Sequence, residues 1–479
     1  MNMKSIAWLA LVCCLPCAAL ELPDMGASAS SVLSPADEKR LGEGFMRQLR
    51  NGVDIIDDLE VNSYLNALGH QIAAYSDNPE QRFYFFVVNE NSINAFAVPG
   101  GFVGVHSGLF LHTQNENELA SVLAHEIAHV TQHHIARTME ASNNFSLPTM
   151  AAILAAAIAG MKNPQVAEAA IAAVTAGNIQ MQINFTRAHE EEADRVGMKM
   201  LADSGFDPRS MPIFFERLQA SNRFYEGGLP EFLRTHPVTS NRVAEARDRA
   251  EQYPKKLLSD SPLYQLARAK LLFLSESDKS KLAKNLQRAL QEARYRDERA
   301  VRYAIALCLL ATREYSGVQP QLDWLVKHDT DRVAYRSLQA RLAAAQNQPA
   351  QALQLYSKAL QSYPNDPQLT LEYAELLLQQ RQAATAKPLL LELHLRNYPE
   401  YYRLLALVQR QIGEIVDSYF SMAEYYYSSG RTALALEQIK QARQLKGLDF
   451  YQASRIEARH HELQQELHEE NAAKKRDKH

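Results

Sequence analysis

Cysteine is scarce in this chain of 479 residues: four are present, and three of them, Cys13, Cys14 and Cys17, crowd the N-terminus. That scarcity excludes a disulfide framework, since Cys308 would stand alone in a chain trimmed at its start. Its apolar helical neighbourhood suits a buried filler. An excess of one charge is lacking as well. With 51 Lys and Arg against 55 Asp and Glu the formal net charge is −4, so there is no basic field to attract nucleic acid, and no such partner is expected. Beyond residue 20 no run approaches the ~20 continuous apolar residues of a spanning helix. What is present, 46% hydrophobic against 22% charged residues, is the balance of a folded protein rather than a disordered one. The length calls for two to four units of roughly 100–200 residues each.

Residues 1–20 are a separate object. Lys4 gives a positive start, Ile6 to Leu15 an apolar run and Pro16-Cys17-Ala18-Ala19 a small-residue end. This is the pattern of a cleaved export signal, too short to anchor the chain as a spanning helix. Cleavage is expected near Ala19 or Leu20, and Leu15-Pro16 fits badly before a lipid-bearing Cys17. A bacterial periplasm is the compartment compatible with this reading.

The remaining chain changes period along its length. Residues 34–76 read as two amphipathic helices, opened by Ser34 as N-cap and Pro35 in the first turn. Arg82 to Val88 is aromatic and β-branched, and Ala95–Val98 and Phe102–Val105 flank Pro99-Gly100-Gly101, so 82–106 is expected to form a small sheet with a tight turn. From Glu116 the period is helical, with Leu119, Val122, Leu123, Ile127 and Val130 on one stripe, and the helix is expected to run to about Met139. The stretch 147–176 is alanine-rich and broken at Asn163-Pro164. Two short lid-forming or buried helices are expected there, with interfacial membrane contact as a lesser alternative. Further helices are expected over about Ile183–Ser204 and Pro212–Asn222. After Pro262 the sequence is almost entirely helix pairs. The unit Val333–Pro367 has the length and layout of a tetratricopeptide (TPR) repeat of about 34 residues, Gln368–Pro399 repeats its plan, and weaker copies flank them at 263–330 and 402–447. Residues 468–479 are charged and expected to form a flexible tail.

Chemistry concentrates in His125-Glu126-Ile127-Ala128-His129. Two histidines four apart on a helix share a face, and both imidazoles reach one tetrahedral Zn²⁺ at about 2.0–2.1 Å. Glu126 points to the side of the metal, where it would take a proton from the attacking water. A catalytic zinc needs three protein ligands, and the later helix offers Glu190, Glu191 and Glu192. Glu190 is set apart by sharing a face with Asp194, Gly197 and Leu201 that approaches another helix closely. Asp194 would orient a ligating histidine through its second nitrogen, whereas Glu191 with Arg195 reads as a solvated pair. His106, His112, His133, His134 and His189 are expected to pack or hydrogen-bond rather than to ligate.

Three motifs in order, Ala95 to Gly101, Glu118 to His129 and Arg187 to Asp194, resemble the HtpX-like and CAAX-prenyl-protease-like gluzincin peptidases. Thr186 stands where the family usually carries Ser. The resemblance implies an α+β zincin-type metallopeptidase domain, mostly helical with a small β-sheet, over 21–260, followed by an all-α TPR solenoid over 261–467. It implies one Zn²⁺ per chain, with Glu190 as third ligand. It also implies that His236, in Thr235-His236-Pro237, is a fourth ligand that closes the site, and that Arg242 stabilises the oxyanion. With an export signal in front and repeats behind, it points to members that act on unfolded or misassembled outer-membrane proteins. Their TPR domain is expected to bind the outer-membrane β-barrel assembly machinery. An extended substrate would add to the sheet edge near 95–105. The competing expectation is a TPR scaffold or chaperone whose latched metal site contributes little proteolysis.

Overall fold

The computed structural model describes residues 34–141, 158, 179–222, 231–255, 260–393, 395 and 398–476. The expected export signal lies outside these residues. So does the alanine-rich stretch 147–176, except Ile158, which is buried among Phe45, Leu49, Phe86 and Phe102. No helix of the described residues is long and apolar enough to cross a membrane.

Helix α1 (Pro35–Gly52) starts as expected, with Ser34 accepting from the Asp37 amide and proline in the first turn. A two-residue strand β1 (Ile55–Ile56), too short to leave a period in the sequence, separates it from α2 (Leu59–Ala73), which Asp58 caps. Strands β2 (Tyr84–Val88), β3 (Ala95–Val98) and β4 (Phe102–His106) complete a sheet of order β1-β2-β4-β3. β2 and β4 run parallel, and β3 and β4 are antiparallel with Val98 opposite Phe102. The turn between them needs glycine. Gly101 has φ +81°, and a Cβ there would stand 2.0 Å from the Arg82 carbonyl oxygen. β3 is left as a sheet edge.

After α3 (Ser107–His112) comes α4 (Glu116–Thr131), capped by Asn115. Leu119, Val122, Leu123 and Ile127 are at most 2% exposed, each contributing about 1.5–3 kcal/mol by burial. The helix does not run on to Met139. His133 takes a left-handed φ of +51°, and a new helix, α5 (His134–Ala141), starts in another direction. α6 (Ile179–Asp203) packs across α4. Their contact is as close as Gly197 allows, because a Cβ at that position would lie 3.0 Å from the Ala124 carbonyl oxygen. Helices α7 (Ser210–Asn222), α8 (Glu231–Thr235) and α9 (Ser240–Ala250) close this part.

From Pro262 every described element is a helix: α10 (Pro262–Ser275), α11 (Lys279–Gln291), α12 (Glu298–Ala311), α13 (Tyr315–His328), α14 (Val333–Ala345), α15 (Pro349–Ser362), α16 (Pro367–Gln379), α17 (Ala383–Leu391), α18 (Pro399–Gln411), α19 (Ile415–Ser428), α20 (Thr432–Arg443) and α21 (Phe450–Arg476). Arg313, Asn347 and Arg381 each turn the chain with a left-handed φ near +60°. They stand 34 residues apart at equivalent bends between paired helices, so the repeat is written in the backbone as well as in the side chains. The charged tail begins inside α21, where Glu470 accepts from Thr432 at 2.6 Å, and the helix continues to Arg476.

The repeats close on the N-terminal half. Lys270 on α10 lies 3.4 Å from both Asp58 and Glu60, and the Tyr303 hydroxyl donates to Glu60 at 2.6 Å. Tyr398 donates to the Asp57 carbonyl at 2.7 Å, and Arg47 lies over the Tyr427 ring. Side chains from separate units of the repeat region therefore reach the residues at the start of α2.

Candidate metal centre

Helices α4 and α6 cross at Gly197, and the crossing sets the distances at the centre. His125 Nε2 and His129 Nε2 lie 3.1 Å apart, each 3.4 Å from a Glu190 carboxylate oxygen. His236 follows α8, a short helix fixed by the buried Phe232, whose amide donates to the Ile93 carbonyl and whose ring stacks on the His236 ring at 4.8 Å. His236 Nδ1 lies 3.0 Å from Glu190 Oε1 and 3.3 Å from His125 Nε2. One ligand atom from each of these four residues falls within 4.8 Å of the other three. The far nitrogen of the same ring, His236 Nε2, stands 3.4 Å from Glu126 Oε1.

The carboxylates behind the centre are tied down. Asp194 Oδ1 lies 3.0 Å from His125 Nδ1, so the nitrogen of His125 that faces away from the centre meets an acid. Arg242, 2% exposed, donates to both oxygens of Asp194 at 2.7 and 2.8 Å and to the Pro237 carbonyl at 2.8 Å, and pairs with Glu190 at 2.9 Å. All three of its nitrogens are thus engaged on the two carboxylates and one loop carbonyl.

The electrostatics follow from this packing. Burial disfavours the charged His125 ring, yet the hydrogen-bonded Asp194 and Glu190 outweigh it and raise its pKa to about 10. Burial likewise opposes the charge of Glu190, but His236, His125 and His129 hold its carboxyl well below the usual range. Asp194 is lowered against its burial by His125 and Arg242. His129 is lowered by burial and by the neighbouring His125 and His236 rings. Arg242 faces both acids from behind, and on the side of the three imidazoles a proton on His125 or a metal cation would add further positive charge. Three imidazole nitrogens and a carboxylate oxygen within 4.8 Å of one another, with Glu126 Oε1 buried and without a hydrogen bond, are a donor set that fits Zn²⁺.

Other expected residues fall as follows. Glu191 is exposed, and Arg195 reaches Glu192 at 3.6 Å rather than Glu191. His106 is buried against Ser92. His134 hydrogen-bonds and packs rather than ligating, and its contact is with a ligand: its Nδ1 lies 2.9 Å from His129 Nδ1, its Nε2 lies 3.3 Å from Glu192, and its ring stacks on His189 at 4.2 Å. No spacing in the sequence marks it, because its place depends on the left-handed turn at His133.

The chain matches the family model "Peptidase family M48" over residues 60–250 and a tetratricopeptide-repeat model over 343–408. It is 34% identical to the "Beta-barrel assembly-enhancing protease" of Escherichia coli (strain K12), covering 93% of this chain and 91% of that one. It is 36% identical to a "Putative beta-barrel assembly-enhancing protease" of Vibrio cholerae, covering 93% of each. A "Mitochondrial metalloendopeptidase OMA1" of Arabidopsis thaliana is 28% identical over 46% of this chain and 44% of its own. Likeness at that level over nine-tenths of both chains, together with the family match over 60–250, places this chain in peptidase family M48 as a metalloendopeptidase of the β-barrel assembly-enhancing group.

Proposed function

We propose that the protein is a zinc endopeptidase of the periplasm that cleaves misassembled outer-membrane β-barrel proteins, and that its TPR repeats meet the β-barrel assembly machinery. The single observation that carries the chemical reading is the convergence of His125, His129, Glu190 and His236 on one point. The compartment, clients and partner rest on the names of the relatives and on the export signal expected at 1–20. The domain limits of 21–260 and 261–467 are proposed with them.

When bound, Zn²⁺ lowers the pKa of a coordinated water toward about 7 and polarises the scissile carbonyl. The residues of the chain do the rest. His125 Nε2, His129 Nε2 and Glu190 would hold the ion, and Asp194, 3.0 Å from His125 Nδ1, would fix the tautomer of that ring. Glu126 takes the proton of the attacking water and returns it to the leaving amine. Arg242, anchored on Asp194 and Glu190, keeps both carboxylates ionised and adds positive charge behind the developing oxyanion. The peptide lies extended along the free edge of β3, next to the α4 helix, where backbone pairing tolerates varied sequence.

His236 gives this enzyme a latch. With its Nδ1 beside His125 Nε2 and Glu190 and its Nε2 toward Glu126, it would supply a fourth ligand and stand where the attacking water is needed. The closed centre also favours a second reading, a scaffold or chaperone in which the repeats do the main work until the latch lifts. Cleavage of an unfolded outer-membrane protein by wild type, Glu126→Gln and His236→Ala tests both. The enzyme reading expects loss in the first variant and gain in the second. A Glu126→Gln protein that cleaves as wild type does contradicts it.

A further inference from the structure

We infer that His134 is a positioning residue for the metal centre, the middle member of a chain Glu192–His134–His129 that fixes the tautomer and orientation of His129. This inference rests on the zinc reading of the site. The two ligating histidines are treated differently by their surroundings: His125 has Asp194 at its outer nitrogen, 3.0 Å away, whereas among the described residues no carboxylate takes that place for His129. There the outer nitrogen, Nδ1, meets His134 Nδ1 at 2.9 Å.

The protonation states follow by elimination. His129 Nε2 faces His125 Nε2 and Glu190, so it must carry the lone pair if it is to bind a cation, and its proton sits on Nδ1. His134 Nδ1 then accepts that proton's hydrogen bond, which leaves the His134 proton on Nε2, where Glu192 Oε2 accepts it at 3.3 Å. Arg137 donates to the same Glu192 oxygen, Oε2, at 2.8 Å, and His189 stacked on the His134 ring at 9° keeps its plane. His134 is 3% exposed, so water does not compete for these bonds.

The backbone is arranged to make this contact. In an unbroken helix position 134 would sit about 140° around the axis from position 129, out of reach of it. The left-handed His133, φ +51°, ends α4 and starts α5 so that His134 turns back over His129. A non-glycine residue held in that region signals a constraint supplied by the surroundings, and here it brings an acceptor to the unpartnered side of a ligand. A partner that holds the far nitrogen of a ligating histidine is worth roughly 10–100-fold in metal affinity.

The test measures zinc affinity by competition with a chelator in the full-length protein, for wild type, His134→Leu, His134→Asn and Glu192→Ala. Long-range ¹H–¹⁵N spectra of the zinc-loaded proteins follow the His129 Nδ1 proton. Leucine removes the acceptor, and zinc binding should weaken by about 10–100-fold with fast exchange of that proton. Asparagine places an amide oxygen where Nδ1 was, and should keep affinity within about threefold of wild type with the proton still protected. Glu192→Ala, at a partly exposed position, should lie between them. Circular dichroism of the metal-free proteins separates loss of the chain from loss of the fold. Wild-type affinity in His134→Leu, or an equal loss in Leu and Asn variants that are both folded, overturns the inference. A wild type that takes up no zinc overturns the metal site itself and this inference with it.

Discussion

Two buried clusters of charge, one at the start of α2 and one between α4 and α6, are built on opposite plans. At the joint between the peptidase part and the repeats, Lys270 stands between Asp58 and Glu60, and Tyr303 donates to Glu60. Every positive group there faces an acid. At the centre between α4 and α6, three imidazole nitrogens and the Glu190 carboxylate point at one another, with Arg242 and Asp194 behind them rather than among them. A cluster whose charges are matched is a strut. A cluster whose ligand atoms gather within 4.8 Å of one another offers a place for a metal ion as well, and that difference separates an interface from a metal site.

The comparison breaks most visibly at Glu126. Replacing it with Gln keeps shape and ligands but removes the base, and kcat for an unfolded substrate should fall by about 10²–10⁴-fold with zinc content unchanged. Breaking the strut should cost stability instead. Lys270→Met leaves Asp58 and Glu60 without their cation, and removing one partner of a buried ion pair costs roughly 3–5 kcal/mol. Chemical denaturation should show that loss, with the metal still bound. If Lys270→Met instead expels zinc, the two clusters are one system and the contrast fails.

Smaller effects sharpen the same distinction. His236→Ala should raise proteolysis, since the group facing Glu126 is gone, while lowering zinc affinity modestly; assays of both on one preparation check it. In the repeats, burial would raise the Asp329 carboxyl, but hydrogen bonds from Arg332 and Tyr335 hold it well below its usual value. A depressed carboxylate contributes stability that is present above its unfolded pKa of about 3.9 and lost as pH falls toward the folded value. Asp329→Asn should therefore lower the neutral melting temperature slightly and flatten its decline below about pH 4, read by thermal melts across the acid range.

Much of this was legible in the sequence where chemistry is local. His125, Glu126 and His129 lie within one helical turn, so their spacing carries their arrangement, and the capping of α1 by Ser34 is equally local. Glu190 needed the family resemblance, because Glu191 and Glu192 are identical in type and only the packing at Gly197 separates them. His134 was not legible as a partner of His129, since one left-handed residue redirects the chain between them. The strut was hidden for another reason: Glu60 and Tyr303 are 243 positions apart, and no period or motif joins them. Strand β1, two residues long, exists through its pairing with β2 and not through any pattern of its own.

The central claim is that three imidazoles and one carboxylate close on a single zinc ion. X-ray absorption at the zinc edge, on wild type and His236→Ala, tests it directly. The account predicts one zinc per chain with only nitrogen and oxygen neighbours at about 2.0–2.1 Å, and one imidazole fewer, replaced by a water oxygen, in the variant. A zinc whose shell is the same in both proteins, or a wild type that holds no zinc, would contradict it.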